Sequence, residues 1–370
     1  MEKETNLIVG AGLSGAVAAN ILAENGEKVL VIDRKDHIAG NVYDYKDENN
    51  IHIHKYGPHI FHTRIKEVWD YLSKFTQWNY FFLKPNVIIE GKPVSLPFSL
   101  ATIYELFSPA MAERLENKLV EKYGYNVKVS ILELKNNDDK DLKFLAEYVY
   151  ENVFKNYTMK QWDAKPEDID FSITARVPVQ INHDTRYFDD KYQGIPLKGY
   201  TAMIKKMFDH RNIEVKLKTE ASEYLKKDWK RVFYTGAIDE YFNYKYGELP
   251  YRSLRFDVQT RDVEYYQRTV VTNYPNNYDF TRITEHKYFL NEKSDKTVIS
   301  IEYPQKFVNG QNERYYPIVG TENEALYKKY LADAEKLDNV YFFGRLGDYK
   351  YYNMDLAVDR ALKLMKNILK

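Results

Sequence analysis

Cysteine is absent from all 370 residues. That excludes disulfides, thiolate nucleophiles and cysteine-ligated zinc or iron–sulfur centres, and it fits a cytoplasmic location. No run is long and apolar enough to span a bilayer, so no membrane insertion is expected. Charge of one sign is missing as well: 54 basic and 54 acidic side chains give a formal net charge of zero. Nothing in that balance draws nucleic acid or an anionic membrane surface. A serine-hydrolase elbow is excluded, because Ala16 stands where Gly12-x-Ser14 would need its second glycine. Tyrosine, by contrast, is abundant at 34 residues. A compositional habit shared with Lys, Asn and Ile accounts for most of these, and aromatic contacts with a sugar or base for a few.

The stretch from Leu7 to Asp33 carries the strongest local signal. Leu7-Ile8-Val9 reads as a buried strand, and Gly10-x-Gly12-x-x-Gly15 follows at once. A helix of small residues then runs to about Asn25, with Gly26 placed for a left-handed cap. Val29–Ile32 reads as a second strand, and Asp33 closes it. In this setting Gly10 permits the turn, Gly12 lets the backbone approach a pyrophosphate, and Gly15 lets the helix pack on the sheet. Asp33 is positioned to accept hydrogen bonds from a ribose. Gly40 and Asn41 shortly afterwards suit a longer dinucleotide such as FAD.

Further along, His52, His54, His59 and His62 lie close in sequence. The Gly57-Pro58 between them argues for a loop pressed on a cofactor, and no metal site is expected. Thr63 is expected to cap an amphipathic helix carrying Val68, Trp69 and Leu72. Val87–Val94 reads as a hairpin turning at Gly91, and Ser108-Pro109 opens a helix that Gly124 ends. Another helix is expected from about Asp141 to Lys155. Strand texture returns from Phe171, with alternation at Leu254, Phe256 and Val258. Strand periodicity puts Arg282, Thr284 and His286 on one face. On spacing alone Arg282 is either an exposed ion-pair partner or a ligand for an anion. The segments 194–247 and Val340–Asp348 regain α/β character, with Thr235-Gly236 after a strand and a helix from about Asn353.

The fold class read from this pattern is α/β: a Rossmann-like FAD-binding domain with a helical insert and an antiparallel β-sheet substrate domain. The expected boundaries are 1–78, 194–247 and 316–370 for the discontinuous dinucleotide domain. The helical domain is 98–157, and the sheet domain is 79–97, 158–193 and 248–315.

Eight stretches carry a resemblance over nearly the whole chain. They are GAGLSGAVAAN at the start, HKYGPHIFHT at 54–63, YTMKQW at 157–162, ARVPV at 175–179, YQGIPLKGYT at 192–201, TRITEHK at 281–287, YYPI at 315–318 and FGRLGDYKYYNMD at 343–355. By these the chain resembles the UDP-galactopyranose mutases of bacterial type. The resemblance implies a redox-neutral isomerase that interconverts UDP-galactopyranose and UDP-galactofuranose for cell-surface polysaccharide. In that family N5 of reduced FAD attacks the anomeric carbon, UDP departs, and the sugar reopens and recloses before UDP returns.

The same resemblance assigns residues. Arg176 and Arg282 would hold the pyrophosphate during catalysis, and His62 would assist proton movement. Tyr157, Thr158, Trp162, Tyr187, Asn273, Tyr316 and Tyr351 would join the two arginines in binding substrate. Gly10, Gly12, Ser14, Gly15, Asp33, Arg34, Asn41, His59, Ile60, Arg345, Tyr352, Met354, Asp355 and Leu356 would bind FAD. A homodimer is implied, together with an external flavin reductant and, near Arg176, a lid over Phe171–Gln193.

Three departures, Asp163 for Gly, Asn353 for Asp and Leu83 for a polar residue, leave the sugar open between UDP-galactose and its N-acetylated analogue. Two other classes share parts of the pattern. One is an FAD oxidoreductase of the amine-oxidase type, the other a nucleotide-sugar sensor with a degenerate flavin site.

Overall fold

A computed structural model describes residues 2–163 and 178–370. The chain divides into two compact units. The first comprises Met1–Phe81, Asp190–Tyr251 and Phe307–Lys370, and the second Phe82–Asp189 and Arg252–Lys306.

The first unit is built on a five-stranded parallel sheet. Its order is Ile213–Lys216, Lys28–Ile32, Thr5–Val9, Arg231–Tyr234 and Val340–Phe342. Three distant chain segments therefore complete one sheet. Leu7, Ile8, Val31 and Ile32 are fully buried in it, as the continuous apolar runs of a sheet covered on both faces require. Helix Leu13–Glu24 packs between this sheet and the helices Tyr200–Phe208 and Met354–Ile368. Its C-terminus is a Schellman motif: Glu27 N–H donates to Leu22 O (3.0 Å), Gly26 N–H to Ala23 O (2.9 Å), and Gly26 has φ +82°.

Helix Tyr200–Phe208 is capped from a distance. Asp44 accepts from the N–H groups of Tyr200 (2.7 Å) and Thr201 (2.9 Å). Its N-cap residue, Gly199, sits at φ +85°, and a Cβ there would lie 2.5 Å from the Asp44 carboxylate. A small antiparallel sheet joins Phe61–Thr63, Tyr192–Pro196 and Trp78–Asn79. Thr63 is not the cap of the following helix. That helix, Lys66–Ser73, has Ile65 at its N-cap. Thr63 Oγ1 instead accepts from Ile65 N–H and donates to the Asp355 carboxylate, both at 3.0 Å.

The second unit combines the helical segment with six neighbouring strands of a seven-stranded sheet, in the order Tyr251–Arg261, Thr297–Lys306, Arg282–Glu285, Val271–Asn273, Asn86–Ile89 and Lys92–Ser95. The pairings are antiparallel except that Val271–Asn273 runs parallel to Asn86–Ile89. Leu100, Ile103, Leu115, Leu119, Leu142 and Leu145 share one core with Val87, Ile89 and Val94 of the hairpin. Pro109 opens the helix Pro109–Tyr123, and Gly124 ends it at φ +87°. Helix Lys140–Val149 passes through a π-turn, Tyr150–Phe154, into Lys155–Trp162. It therefore outruns the expected end at Lys155. Val258 is 43% exposed, so the outer end of its strand does not continue the buried alternation expected of Leu254, Phe256 and Val258.

One contact limits the first unit. A Cβ on Gly15 would lie 2.0 Å from the Gly10 carbonyl oxygen. Gly15→Ala must push the helix off the sheet, at about 1–3 kcal/mol. The variant should show a Tm lower by several degrees and reduced flavin content on purification; wild-type values for both would refute the contact.

Candidate active site

The first unit contains a cleft at the C-terminal ends of its parallel strands. Gly10, Gly12, Ser14, Asp33, Arg34, Asn41, His59, Arg345 and Met354 line it. It thus gathers nine of the fourteen residues expected at the cofactor. Gly10 has φ +113°, and a Cβ there would meet Thr235 Oγ1 at 2.0 Å. Gly12 and Gly40 face each other, a Cβ on Gly40 falling 3.1 Å from Gly12 Cα. As N-cap of helix Leu13–Glu24, Gly12 brings no side-chain acceptor to the first turn. A bare turn at a helix N-terminus suits a pyrophosphate. Asp33 Oδ2 accepts from Ala11 N–H (2.8 Å) and Oδ1 from Lys35 N–H (2.9 Å). Each carboxylate oxygen keeps a lone pair for a ribose hydroxyl. The donor set and the glycine cradle therefore fit a dinucleotide.

The other five expected residues lie elsewhere. Gly15 is under the turn, and Tyr352 turns its hydroxyl to Asp348 (2.8 Å) while its carbonyl accepts from Arg345 (2.8 Å). Asp355 bonds Thr63, Ile60 is buried, and Leu356 is 45% exposed. Periodicity at a helix start gave no means of separating Met354, which lines the cleft, from its two successors.

Charged residues that sequence reading missed close one side of the cleft. Glu240 accepts from Arg34 (3.0 Å) and from Arg314 (2.9 Å). Arg314 is 3% exposed, stacked 4.5 Å from the Phe307 ring. Its Nε is buried with no hydrogen-bond partner among the described residues. Lys35 pairs with Glu313 (3.2 Å) and donates to Asn41 (3.1 Å). Burial lowers the Lys35 pKa, and Glu313 opposes that shift. These residues come from three chain regions, so no local pattern could announce them.

The histidines do not converge on a metal. His59 Nδ1 donates to Gly57 O (2.8 Å), and the His59 backbone N–H donates to His54 Nδ1 (3.1 Å). His62 meets Asp190 at 2.5 Å. Among the described residues no group of three or more His, Cys, Asp or Glu has the proximity to hold a metal ion. Also in the first unit, Tyr316 and Tyr351 meet edge to face at 5.2 Å, with the Arg345 guanidinium 5.7 and 5.8 Å from their rings.

The second unit holds the remaining expected residues, except Arg176, which lies outside the described residues, as does 171–177 of the expected lid. Helix Lys155–Trp162 carries Tyr157, Thr158 and Trp162. Lys160 ties it to a loop, donating to Tyr274 O, Phe280 O (2.8 Å) and Tyr278 O (3.2 Å). Arg252 donates to Gln161 O (3.0 Å) and Lys160 O (3.2 Å) at its C-terminus. Asp163 ends the helix at φ +57°. The glycine expected there by resemblance is thus a matter of left-handed backbone, which Asp tolerates. Asn273 donates to Asn86 O (3.1 Å). Tyr187 packs on the helical core, and its N–H donates to Leu83 O (2.8 Å).

Arg282 has an ion-pair partner on the neighbouring strand. Opposite it in register is Glu302, which is 1% exposed. Glu302 Oε2 accepts from Arg282 Nε (2.8 Å) and Nη2 (2.7 Å), and Oε1 accepts from Thr281 Oγ1 (2.8 Å). The carboxylate grips one edge of the guanidinium and fixes the direction of the plane.

Comparison with known proteins bears on this geometry. Residues 152–351 match the family model described as UDP-galactopyranose mutase. Residues 8–75 match that of an NAD(P)-binding Rossmann-like domain. The chain is 39% identical to a probable UDP-galactopyranose mutase of Klebsiella pneumoniae, over 100% of this chain and 96% of that protein. The chain belongs to the UDP-galactopyranose mutase family. It is also 34% identical to a dTDP-fucopyranose mutase of Escherichia coli, over 98% of both chains.

A solved structure of a reduced UDP-galactopyranose mutase superposes with a TM-score of 0.74, at 15% identity, over 100% of this chain and 96% of that one. A putrescine oxidase shares the fold at a TM-score of 0.59 and 10% identity. An L-amino-acid oxidase of Mus musculus matches only 25% of this chain, which leaves the amine-oxidase reading the weaker one. Membership makes the chain a flavin-dependent mutase, an isomerase. No helix among the described residues is long and apolar enough to cross a membrane.

Burial pushes the Lys160 ammonium down to about 8 from the usual 10.5, with Asp279 opposing. Unfolding therefore takes up a proton between these values, and this group's contribution to stability rises with pH across that window. Urea denaturation should show the wild type gaining on Lys160→Met as pH rises from about 8 to 10. A constant difference would mean that the three carbonyls hold the charge.

Proposed function

We propose that this mutase interconverts UDP-galactopyranose and UDP-galactofuranose, with reduced FAD as its cofactor. The cleft carries the FAD assignment. It combines a ribose acid, a bare glycine turn and, in the same lining, Asn41, His59, Arg345 and Met354, which gives more than a mononucleotide needs. When bound, the reduced flavin supplies a nucleophilic nitrogen for the anomeric carbon, so no side-chain nucleophile is required.

The chain's own task is to hold UDP while its bond to the sugar is broken and remade. That calls for fixed cations at a diphosphate shielded from water. Arg282, oriented by Glu302, and Arg176 take this role. Tyr316 and Tyr351, whose rings flank the Arg345 guanidinium, act as hydroxyl donors to phosphate. Tyr157, Thr158, Trp162, Tyr187 and Asn273 take the nucleoside and sugar. The working enzyme is a cytoplasmic homodimer kept reduced by a separate electron donor, and its product enters cell-surface polysaccharide.

The E. coli relative keeps a second sugar in view, as does Asn353 at the cleft. The test is product chromatography after incubating dithionite-reduced protein with UDP-galactofuranose, its N-acetylated analogue and dTDP-fucofuranose. UDP-galactofuranose should be converted fastest, and only by the reduced protein. Preference for either other furanose would reassign the sugar, and no conversion of any by folded, yellow protein would overturn the reading. Arg282→Ala should lower kcat about 10²–10³-fold.

A further inference from the structure

His62 has a partner that sequence reading did not supply. It lies on strand Phe61–Thr63, opposite Gln193 in register. Phe61 and Thr63 are buried on one side of that strand, so pleating sends His62 to the other. There its Nδ1 meets Asp190 Oδ2 at 2.5 Å. The pair is well shielded, with side chains 11% and 19% exposed. The second Asp190 oxygen accepts from Arg64 Nε (3.1 Å), and the Asp190 carbonyl accepts from the side chain of the buried Gln193 (2.9 Å). The carboxylate is thus held at both its oxygens and its backbone.

An ionised carboxylate only accepts. The proton in the short contact therefore sits on His62 Nδ1, and the ring is held in one tautomer. Nε2 is the ring nitrogen on the side away from Asp190. We propose that Asp190 is a positioning residue for proton transfer by His62. The inference rests on the mutase reading above. Opening a pyranose requires its ring oxygen to gain a proton, and closing the furanose requires the 4-hydroxyl to lose one. The two transfers cancel, so one imidazole Nε2 serves both directions without a net proton or electron. An imidazole without that contact could swap tautomers and would be in the wrong form part of the time.

Four variants test this in the reduced holoenzyme: His62→Ala, Asp190→Ala, Asp190→Asn and the His62→Ala/Asp190→Ala double. Asp190→Ala should lower kcat at least about tenfold with KM and flavin content unchanged. Asp190→Asn, whose single amide oxygen can serve either Nδ1 or Arg64 Nε but not both, should recover at most part of the loss. The double variant should be no slower than His62→Ala, because residues acting as one unit are not additive. Independently of turnover, two-bond ¹H–¹⁵N spectra should show neutral His62 protonated at Nδ1 in the wild type, and this preference lost in Asp190→Ala.

Wild-type kcat in Asp190→Ala or His62→Ala, losses that multiply in the double variant, or an Nε2-protonated ring in the wild type would each overturn the proposal. The first three leave isomerisation by the wild type intact. Failure of the mutase reading would instead appear as no isomerisation by the wild type, with the spectra unchanged.

Discussion

The first unit depends on how closely one helix can approach one sheet. At Gly15 the separation from the Gly10 carbonyl leaves no room for a methyl group. That contact brings the N-terminus of Leu13–Glu24 to the ends of the parallel strands. Because Gly12 has no side chain to cap it, the first-turn N–H groups are available to a ligand. Gly40, facing Gly12, keeps the second wall equally bare. These absences of side chain suit a phosphate, and the strand ends supply Asp33 beside the turn.

Around that bare turn the chain spends charge to hold geometry. Glu240 couples Arg34 to the buried Arg314, and Glu313 holds Lys35 against Asn41. In the second unit the same device recurs as Glu302 on Arg282 and as Lys160 on three loop carbonyls. Such pairs add little net stability where exposed, and buried ones break even at best. Their use here is directional: each holds a cationic side chain in one orientation. Zero net charge at the level of the whole chain therefore conceals strongly structured local fields.

Within the first unit, helices differ in how they are stabilised. Helix Leu13–Glu24 ends by a local rule, the Schellman geometry of Gly26. Helix Tyr200–Phe208 begins by a non-local one, since its cap is Asp44, far away in sequence. Thr63, which has the chemistry of a cap and lies near a helix start, spends its hydroxyl on Asp355 instead. Capping propensity describes what a side chain can do, and tertiary packing decides which of its options is taken.

Much of the fold was legible in the sequence because its signals are short-range. The turn from Gly10 to Gly15, the acid at Asp33, the Gly91 hairpin and the Ser108–Pro109 helix start each need only a few neighbouring residues. The eight matching stretches carried the family. What the sequence could not decide was pairing across distance. It offered Arg282 as an ion-pair partner or an anion ligand, and Glu302 became its partner only when two strands came into register. It gave His62 without Asp190, Arg34 without Glu240, and Asp355 without Thr63. Backbone conformation is set by local sterics and is written locally. The orientation of a charged side chain is set by whichever opposite charge folding brings within hydrogen-bond reach, and only the tertiary structure determines that.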